Sequence, residues 1–283
     1  MNIQEALQES KKILKNVSFT ADLDAEVLLS KVLNKDVRLE KITNSSYEIT
    51  EKEKKDFNEL IKLRKKKIPL AKILKVKDFW NFEVNVDNKV LIPRPETEVL
   101  IDLIVSKISK NKKINFFELG IGSGCISMSI LDHFKNAKGI AWDVSKQSIV
   151  SSTKNIKKYG FEQRLKIEKR DGLLFKPKQM FDLIVSNPPY LKLSDYISLD
   201  KSIKVYEPKN ALIADNSFGL KFYNRIIKFY KLNLKLGGLL ALEIGDNQFN
   251  LLYNLLLKNG FRIEKKYRLI NNQVRCLVAK KIA

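Results

Sequence analysis

Ile114-Asn115-Phe116-Phe117-Glu118-Leu119-Gly120-Ile121-Gly122-Ser123-Gly124 runs from an apolar stretch into a helical pattern through Met128 and Leu131. The first six residues predict a buried strand. Glycines at every second position from 120 to 124 let the chain turn sharply and bring backbone close to a ligand. The spacing differs from the G-x-G-x-x-G of dinucleotide-binding loops. Outward from this point, strands and helices alternate. Strands are expected at 139–143, 165–168, 181–186 and 238–243, and helices at about 145–159, 218–234 and 247–258. Closing strands at 261–268 and 273–280 flank Asn271-Asn272, a turn signal. Repeated β-α units predict a mostly parallel sheet covered on both faces, with the last two strands antiparallel.

Upstream, the period changes. Residues 1–76 read as a helical bundle. Asp22 and Asp24 sit in the first turn of one helix, and Thr50-Glu51-Lys52-Glu53 is a capping box before another that carries Phe57, Leu60 and Ile61. Residues 77–92 read as a hairpin linker, with alternating Phe79, Phe82, Val84 and Val86, a turn at Asp87-Asn88, then Val90-Leu91-Ile92. Pro93-Arg94-Pro95 stops it, and a helix is expected from Glu96-Thr97-Glu98 to about Lys110. Residues 93–283 then form the α/β domain.

Composition narrows the function. The chain has 283 residues, 44% of them hydrophobic, and a formal charge of +21. A full core is therefore expected, and general disorder is not. No apolar run reaches the roughly 20 residues of a membrane span. The start, Met1-Asn2-Ile3-Gln4-Glu5, has no signal-peptide pattern. Cys125 and Cys276 make no metal or disulfide pattern, and His133 is the sole histidine, so no metal site is expected and a cytoplasmic location is. His133 ends a helix and reads as a partner of its dipole. Cys125 and Met128 read as core. The basic residues are 44 Lys and 9 Arg. Sequence-reading nucleic-acid binders lean on Arg. A Lys excess fits general attraction to polyanions, such as weak proximity to RNA or the ribosome, or bare composition. Segments 79–100 and 181–200 each hold two more acids than bases, so the basic surface lies away from them.

The glycine loop, with Glu118 ahead of it, resembles the first motif of class I S-adenosylmethionine methyltransferases. Asp143, at the end of the next strand, suits two ribose hydroxyls; an N-cap for the following helix is the alternative. Asp171 is placed to reach an adenine amino group, or to make an ordinary Asp-Gly turn. The next strand ends in Ser186-Asn187-Pro188-Pro189-Tyr190, at the sheet edge where open α/β folds bind ligands. The Asn187 side-chain oxygen and the Pro188 carbonyl form a pair of acceptors that can hold both hydrogens of a planar NH2 group. Tyr190 offers a flat face beside them. The set suits methylation of an amino group conjugated to a carbonyl or ring.

Asn-Pro-Pro-Tyr also resembles the motif of adenine-N6 and some guanine-N2 methyltransferases, so a DNA or RNA amino-methyltransferase is the alternative. The rest of the chain resembles the release factor glutamine methyltransferase family (HemK/PrmC). The resemblance rests on Leu91-Ile92-Pro93-Arg94-Pro95-Glu96-Thr97-Glu98, Leu23-Asp24-Ala25-Glu26, Pro69-Leu70-Ala71-Lys72-Ile73, Phe79-Trp80, Tyr206-Glu207-Pro208, and Leu242-Glu243-Ile244-Gly245 with Gln248. It implies a Rossmann-like class I fold with a seven-stranded, mostly parallel sheet whose last strand is antiparallel, behind a helical substrate-binding domain. It implies S-adenosylmethionine as cofactor and bacterial-type peptide chain release factors as partners, methylated on the glutamine of Gly-Gly-Gln. Nothing in the sequence suggests an obligate oligomer, so a monomer is expected. On the matching positions, Gly120, Ile121, Gly122, Ser123, Gly124, Asp143, Asp171, Gly172, Asn187, Thr97 and Glu98 hold cofactor, and Asn187, Pro188, Pro189 and Tyr190 form the catalytic pocket. Relatives often carry an aromatic at Gly172, and Gly at Lys67 and Lys75.

Overall fold

The computed structural model describes residues 1–43, 47–215 and 218–283. The chain divides into two compact units, Met1–Val76 and Lys77–Ala283.

The first unit contains helices α1 (Ile3–Leu14), α2 (Ala21–Leu33), α3 (Val37–Thr43), α4 (Glu51–Lys65) and α5 (Leu70–Leu74). Local chemistry starts two of them. Asn2 and Glu5 exchange side-chain and backbone hydrogen bonds at the head of α1, and Thr50 and Glu53 do the same at the head of α4. Each box satisfies two helix N–H groups that have no partner within the helix. Ile3, Leu14, Leu28, Leu29, Phe57 and Ile61 are packed into one core. Asp24 is not merely a first-turn acid. It is buried, accepts from Thr20 Oγ1 at 3.1 Å and pairs with Arg64 at 2.7 Å, joining α2 to α4. The sequence pattern did not anticipate α3 and α5.

Next come β1 (Val76–Phe79), which starts at the last residue of the first unit, and β2 (Phe82–Asn85); the two form a two-stranded sheet. The hairpin turn is Trp80-Asn81 rather than Asp87-Asn88, with Trp80 held at φ +55°. Asp87 still makes a turn, since its carbonyl accepts from Val90 N–H at 3.2 Å, but no strand follows it at 90–92. Helix α6 (Pro95–Val105) stops short of Lys110, because the Ser106 hydroxyl donates to the Leu103 carbonyl at 2.8 Å and satisfies its last turn.

There follow β3 (Asn115–Leu119), α7 (Cys125–His133), β4 (Lys138–Asp143), α8 (Lys146–Lys158), β5 (Leu165–Lys169) and β6 (Phe181–Ser186). Next come the short β7 (Leu191–Lys192), α9 (Leu193–Ser198), α10 (Lys201–Tyr206) and β8 (Ile213–Asp215). The chain closes with α11 (Lys221–Phe229), β9 (Leu234–Glu243), α12 (Phe249–Lys258), β10 (Phe261–Arg268) and β11 (Val274–Lys281). Where one helix was expected over 218–234, α11 gives way to a 3-10 turn, Tyr230–Asn233. Asn233 Nδ2 there donates to the Pro177 and Gln179 carbonyls.

The main sheet has seven strands in the order β10-β11-β9-β6-β3-β4-β5. All pairs are parallel except those of β11, which is antiparallel to both β9 and β10. This is the class I methyltransferase arrangement expected. The strands alternate between two cores. Phe116, Val185 and Ala241 face one with Met128 and Ile156, while Phe117, Ile184 and Leu240 face the other with Tyr223 and Tyr230. Both faces are buried, as parallel strands require. The chain runs from β3 toward β4 on one side and reaches β6 on the other, so the carboxyl ends of β3 and β6 form a switch-point crevice. Ser186 Oγ donates to the Leu119 carbonyl at 2.7 Å and ties those ends together.

Candidate active site

The glycine loop leaves β3 with Gly120, Gly122 and Gly124 at φ +81°, +55° and +89°. Such angles disfavour any residue with a Cβ. Open space surrounds Gly120 and Gly122, whereas Gly124 sits against Ser152. Gly120 and Gly122 therefore line the cleft. Ile121 and Ser123 are buried, Ile121 in the core. Asn155, fully buried on α8, anchors the loop from behind. Its Nδ2 donates to the Ser123 and Asn85 carbonyls at 2.9 and 3.0 Å.

Asp143 accepts from Gly122 N–H at 3.0 Å and from Ser145 N–H at 2.8 Å, one bond to each carboxylate oxygen. Each oxygen keeps a further acceptor site. The N-cap of α8 is Ser145, whose hydroxyl accepts from Ser148 N–H, so the N-cap alternative for Asp143 fails. Burial raises the Asp143 carboxyl above its ordinary range, opposed by the Ser145 and Gly122 donors. Asp171 accepts from Leu173 N–H at 2.8 Å, the ordinary turn, and also lines the cleft. At Gly172 a Cβ would lie 2.2 Å from Leu119 Cδ1 and 2.9 Å from the Tyr230 hydroxyl, which itself donates to the Gly172 carbonyl at 2.8 Å. Leu119 and Tyr230 fill the space that an aromatic would need.

A second cleft opens beyond β6. Asn187 lines both, with Pro188 and Pro189 on the first and Tyr190 on the second. Asn187 Nδ2 donates to Thr97 Oγ1 at 3.2 Å, and Thr97 donates to Glu243 Oε2 at 2.5 Å. Tyr190 donates to Glu243 Oε1 at 3.4 Å. Thr97 is only 2% exposed and stands behind Asn187, outside both cleft walls. Glu98 is half-buried and likewise outside them. Tyr190 is also fixed through its carbonyl, which accepts from Gln248 Nε2 at 2.8 Å, and its ring lies 5.7 Å from the Arg275 guanidinium. Arg275 pairs with Asp246 at 2.6 Å. Burial raises the Glu243 carboxyl, opposed by Thr97, Arg275 and Tyr190.

Glu207, buried, accepts from Arg94 Nη2 at 2.9 Å and from Ile92 N–H at 3.3 Å, and so ties the segment after α10 to the 91–94 wall. The sequence reading assigned no role to Glu243, Arg275, Glu207 or Asn155. Glu243 had one visible signal, an acid ending a central strand beside the switch point. Each cleft is balanced in formal charge. Lys89 and Arg170 face Asp143 and Asp171 in the first; Arg94, Lys192 and Arg275 face Asp195, Glu243 and Asp246 in the second. His133 is pushed down by burial and by Lys110 and Lys135, opposed by Asp132. It closes α7, at the helix end where the sequence reading placed it.

Residues 97–200 match the family model "Methyltransferase small domain", and residues 5–74 match "PrmC N-terminal domain". The chain is 39% identical to a release factor glutamine methyltransferase of Clostridium acetobutylicum, covering 92% of each chain. It is 37% identical to one of Clostridium botulinum over 93% of each. A bifunctional methyltransferase of Rickettsia felis is 31% identical over 98% of this chain and 58% of its own length. Among solved structures, a Pyrococcus furiosus methyltransferase superposes with a TM-score of 0.52 at 19% identity, covering 71% of this chain and 89% of that one, a likeness of fold alone. The two-unit architecture, the switch-point crevice and near-full-length identity lead to one assignment: the chain belongs to the release factor glutamine methyltransferase family.

Proposed function

We propose that this protein transfers a methyl group from S-adenosylmethionine to the side-chain amide nitrogen of the glutamine in the Gly-Gly-Gln motif of peptide chain release factors. The first cleft suits the cofactor. Gly120 and Gly122 offer close backbone approach. Asp143 keeps acceptor sites for ribose hydroxyls, and Asp171 and Gly172 border the adenine end. The cofactor supplies an electrophilic methyl carried on sulfur.

The observation that carries the reading is the state of Asn187. Its nitrogen is committed to Thr97, which leaves Oδ1 as an acceptor where the two clefts meet. With the Pro188 carbonyl, Oδ1 takes both hydrogens of a primary amide. A conjugated amide nitrogen is a weak nucleophile, and the pocket holds it with its lone pair toward the methyl donor. Proximity and orientation of this kind supply on the order of 7–11 kcal/mol. The same acceptors favour the positive charge that grows on nitrogen, and the surplus proton leaves to water. Pro189 fixes the loop, and Tyr190 packs beside the amide. The helical unit, residues 1–76, serves substrate binding; 77–92 links it to the catalytic residues 93–283. The protein acts as a cytoplasmic monomer, and its Lys-rich surface adds weak attraction to polyanions such as ribosomal RNA.

Labelled S-adenosylmethionine with purified release factor tests the reading: label is expected on the Gly-Gly-Gln glutamine. Asn187→Ala is expected to abolish turnover and leave most cofactor affinity. Adenine methylation with no release-factor product overturns the reading.

A further inference from the structure

Asn187, Thr97 and Glu243 form a chain of hydrogen bonds with a fixed direction. A carboxylate accepts and cannot donate. Glu243 Oε2 therefore draws the single hydroxyl proton of Thr97, at 2.5 Å. With its proton spent, Thr97 Oγ1 can only accept from Asn187, and the group that donates to it is Nδ2, at 3.2 Å. The amide oxygen of Asn187 is then the end left for the clefts. Glu243 sits 1% exposed behind this chain, and its other oxygen accepts from Tyr190. Arg275, tied to Asp246 and to the Ile244 carbonyl at 2.9 Å, adds positive charge nearby.

We propose that Glu243 is a positioning residue for methyl transfer: acting through Thr97, it sets which end of the Asn187 amide faces the substrate. The inference rests on the glutamine-amide reading of the second cleft and deepens it. Nothing in Asn187 itself decides the orientation, since both ends of a primary amide fill nearly the same space. Replacing Glu243 by Gln makes the point. The new amide donates to Thr97 through its nitrogen and still accepts from Tyr190 through its oxygen. Thr97 then turns its proton toward Asn187, which answers with Oδ1. The flipped Asn187 presents NH2 to the NH2 of the substrate, donor against donor.

The test compares Glu243→Gln, Thr97→Val and Thr97→Ser with the parent protein. Glu243→Gln and Thr97→Val are expected to lower kcat by roughly 10²-fold, the cost of a misplaced reacting group, with cofactor Kd nearly unchanged; Thr97→Val, which leaves the buried Glu243 oxygen without its donor, also lowers the melting temperature. Thr97→Ser, which keeps the hydroxyl, is expected to retain kcat within about threefold. A second readout needs no substrate. In the parent, the side-chain NH2 of Asn187, observed by NMR, is held by Thr97 and exchanges slowly with water; in Glu243→Gln it faces the cleft and exchanges faster. Unchanged kcat in Thr97→Val, or unchanged Asn187 exchange in Glu243→Gln, overturns the positioning role. An inactive parent that still shows the exchange difference overturns the substrate assignment and leaves the orientation role supported.

Discussion

Glu118 is fully buried at the end of β3, two residues before the glycine loop. One oxygen accepts from Ser127, and the other has no partner among the described residues. Burial therefore pushes its carboxyl from an ordinary 4.5 up to about 8. The folded state binds the proton more tightly than the unfolded chain does. The resulting stability is fully present below the unfolded pKa and is lost as pH rises through the folded one. Relative to Glu118→Gln, the parent is expected to lose on the order of 3–5 kcal/mol of unfolding free energy between pH 4.5 and 8. Urea melts of both proteins across that window check this, and a parallel pH dependence in the variant rules out Glu118 as the source. Asn155 has a different dependence on its surroundings. It makes neutral hydrogen bonds to the glycine loop and to β2, so Asn155→Ala is expected to cost about 1–3 kcal/mol at any pH. The same melts read that loss.

Helix ends explain two residues that the family pattern left odd. Lys67 follows α4 with φ +62°, and Lys75 caps α5, also at φ +62° in the left-handed region. For an L-residue with a Cβ that conformation costs roughly 1–2 kcal/mol. Both side chains are exposed, so little packing offsets the cost. Lys67→Gly and Lys75→Gly are each expected to stabilise the protein by up to about 1 kcal/mol, since Gly also gains freedom in the unfolded chain. A raised urea midpoint with an unchanged slope is the measurement. These positions show what sequence alone can convey about an element. The β-α order was readable because each central strand buries two faces and each long helix repeats its apolar residues over several turns. The seven-residue α3 and five-residue α5 are too short for a period to emerge. The hairpin turn was misplaced because Asp87-Asn88 has the composition of a turn, while the true turn holds Trp80 in a conformation that its residue type disfavours. In the site, Asn187 was readable from its neighbours Pro188, Pro189 and Tyr190. The task of Thr97 was not, because its partner Glu243 lies 146 positions away and only the sheet brings them together.

The net charge of +21 and the balance within each cleft describe different parts of one molecule. Excess positive charge that lies outside the clefts acts on a partner through solvent, where it is screened over about 8 Å at physiological salt. Contacts inside a partly enclosed cleft are screened much less. Surface attraction to a polyanion should therefore fall steeply with salt, and cofactor binding should not. Affinity for a single-stranded RNA such as poly(U) is expected to drop at least about tenfold between 50 and 200 mM salt, the behaviour of binding by counterion release. Over the same range, the Kd for S-adenosylmethionine is expected to stay within about twofold, because the charges that line its cleft cancel. Titration of both ligands at several salt concentrations separates the two. A cofactor Kd that rises in step with the RNA Kd would mean that the surplus positive charge reaches into the cleft, and that the pairing of Lys89 and Arg170 against Asp143 and Asp171 does not neutralise it.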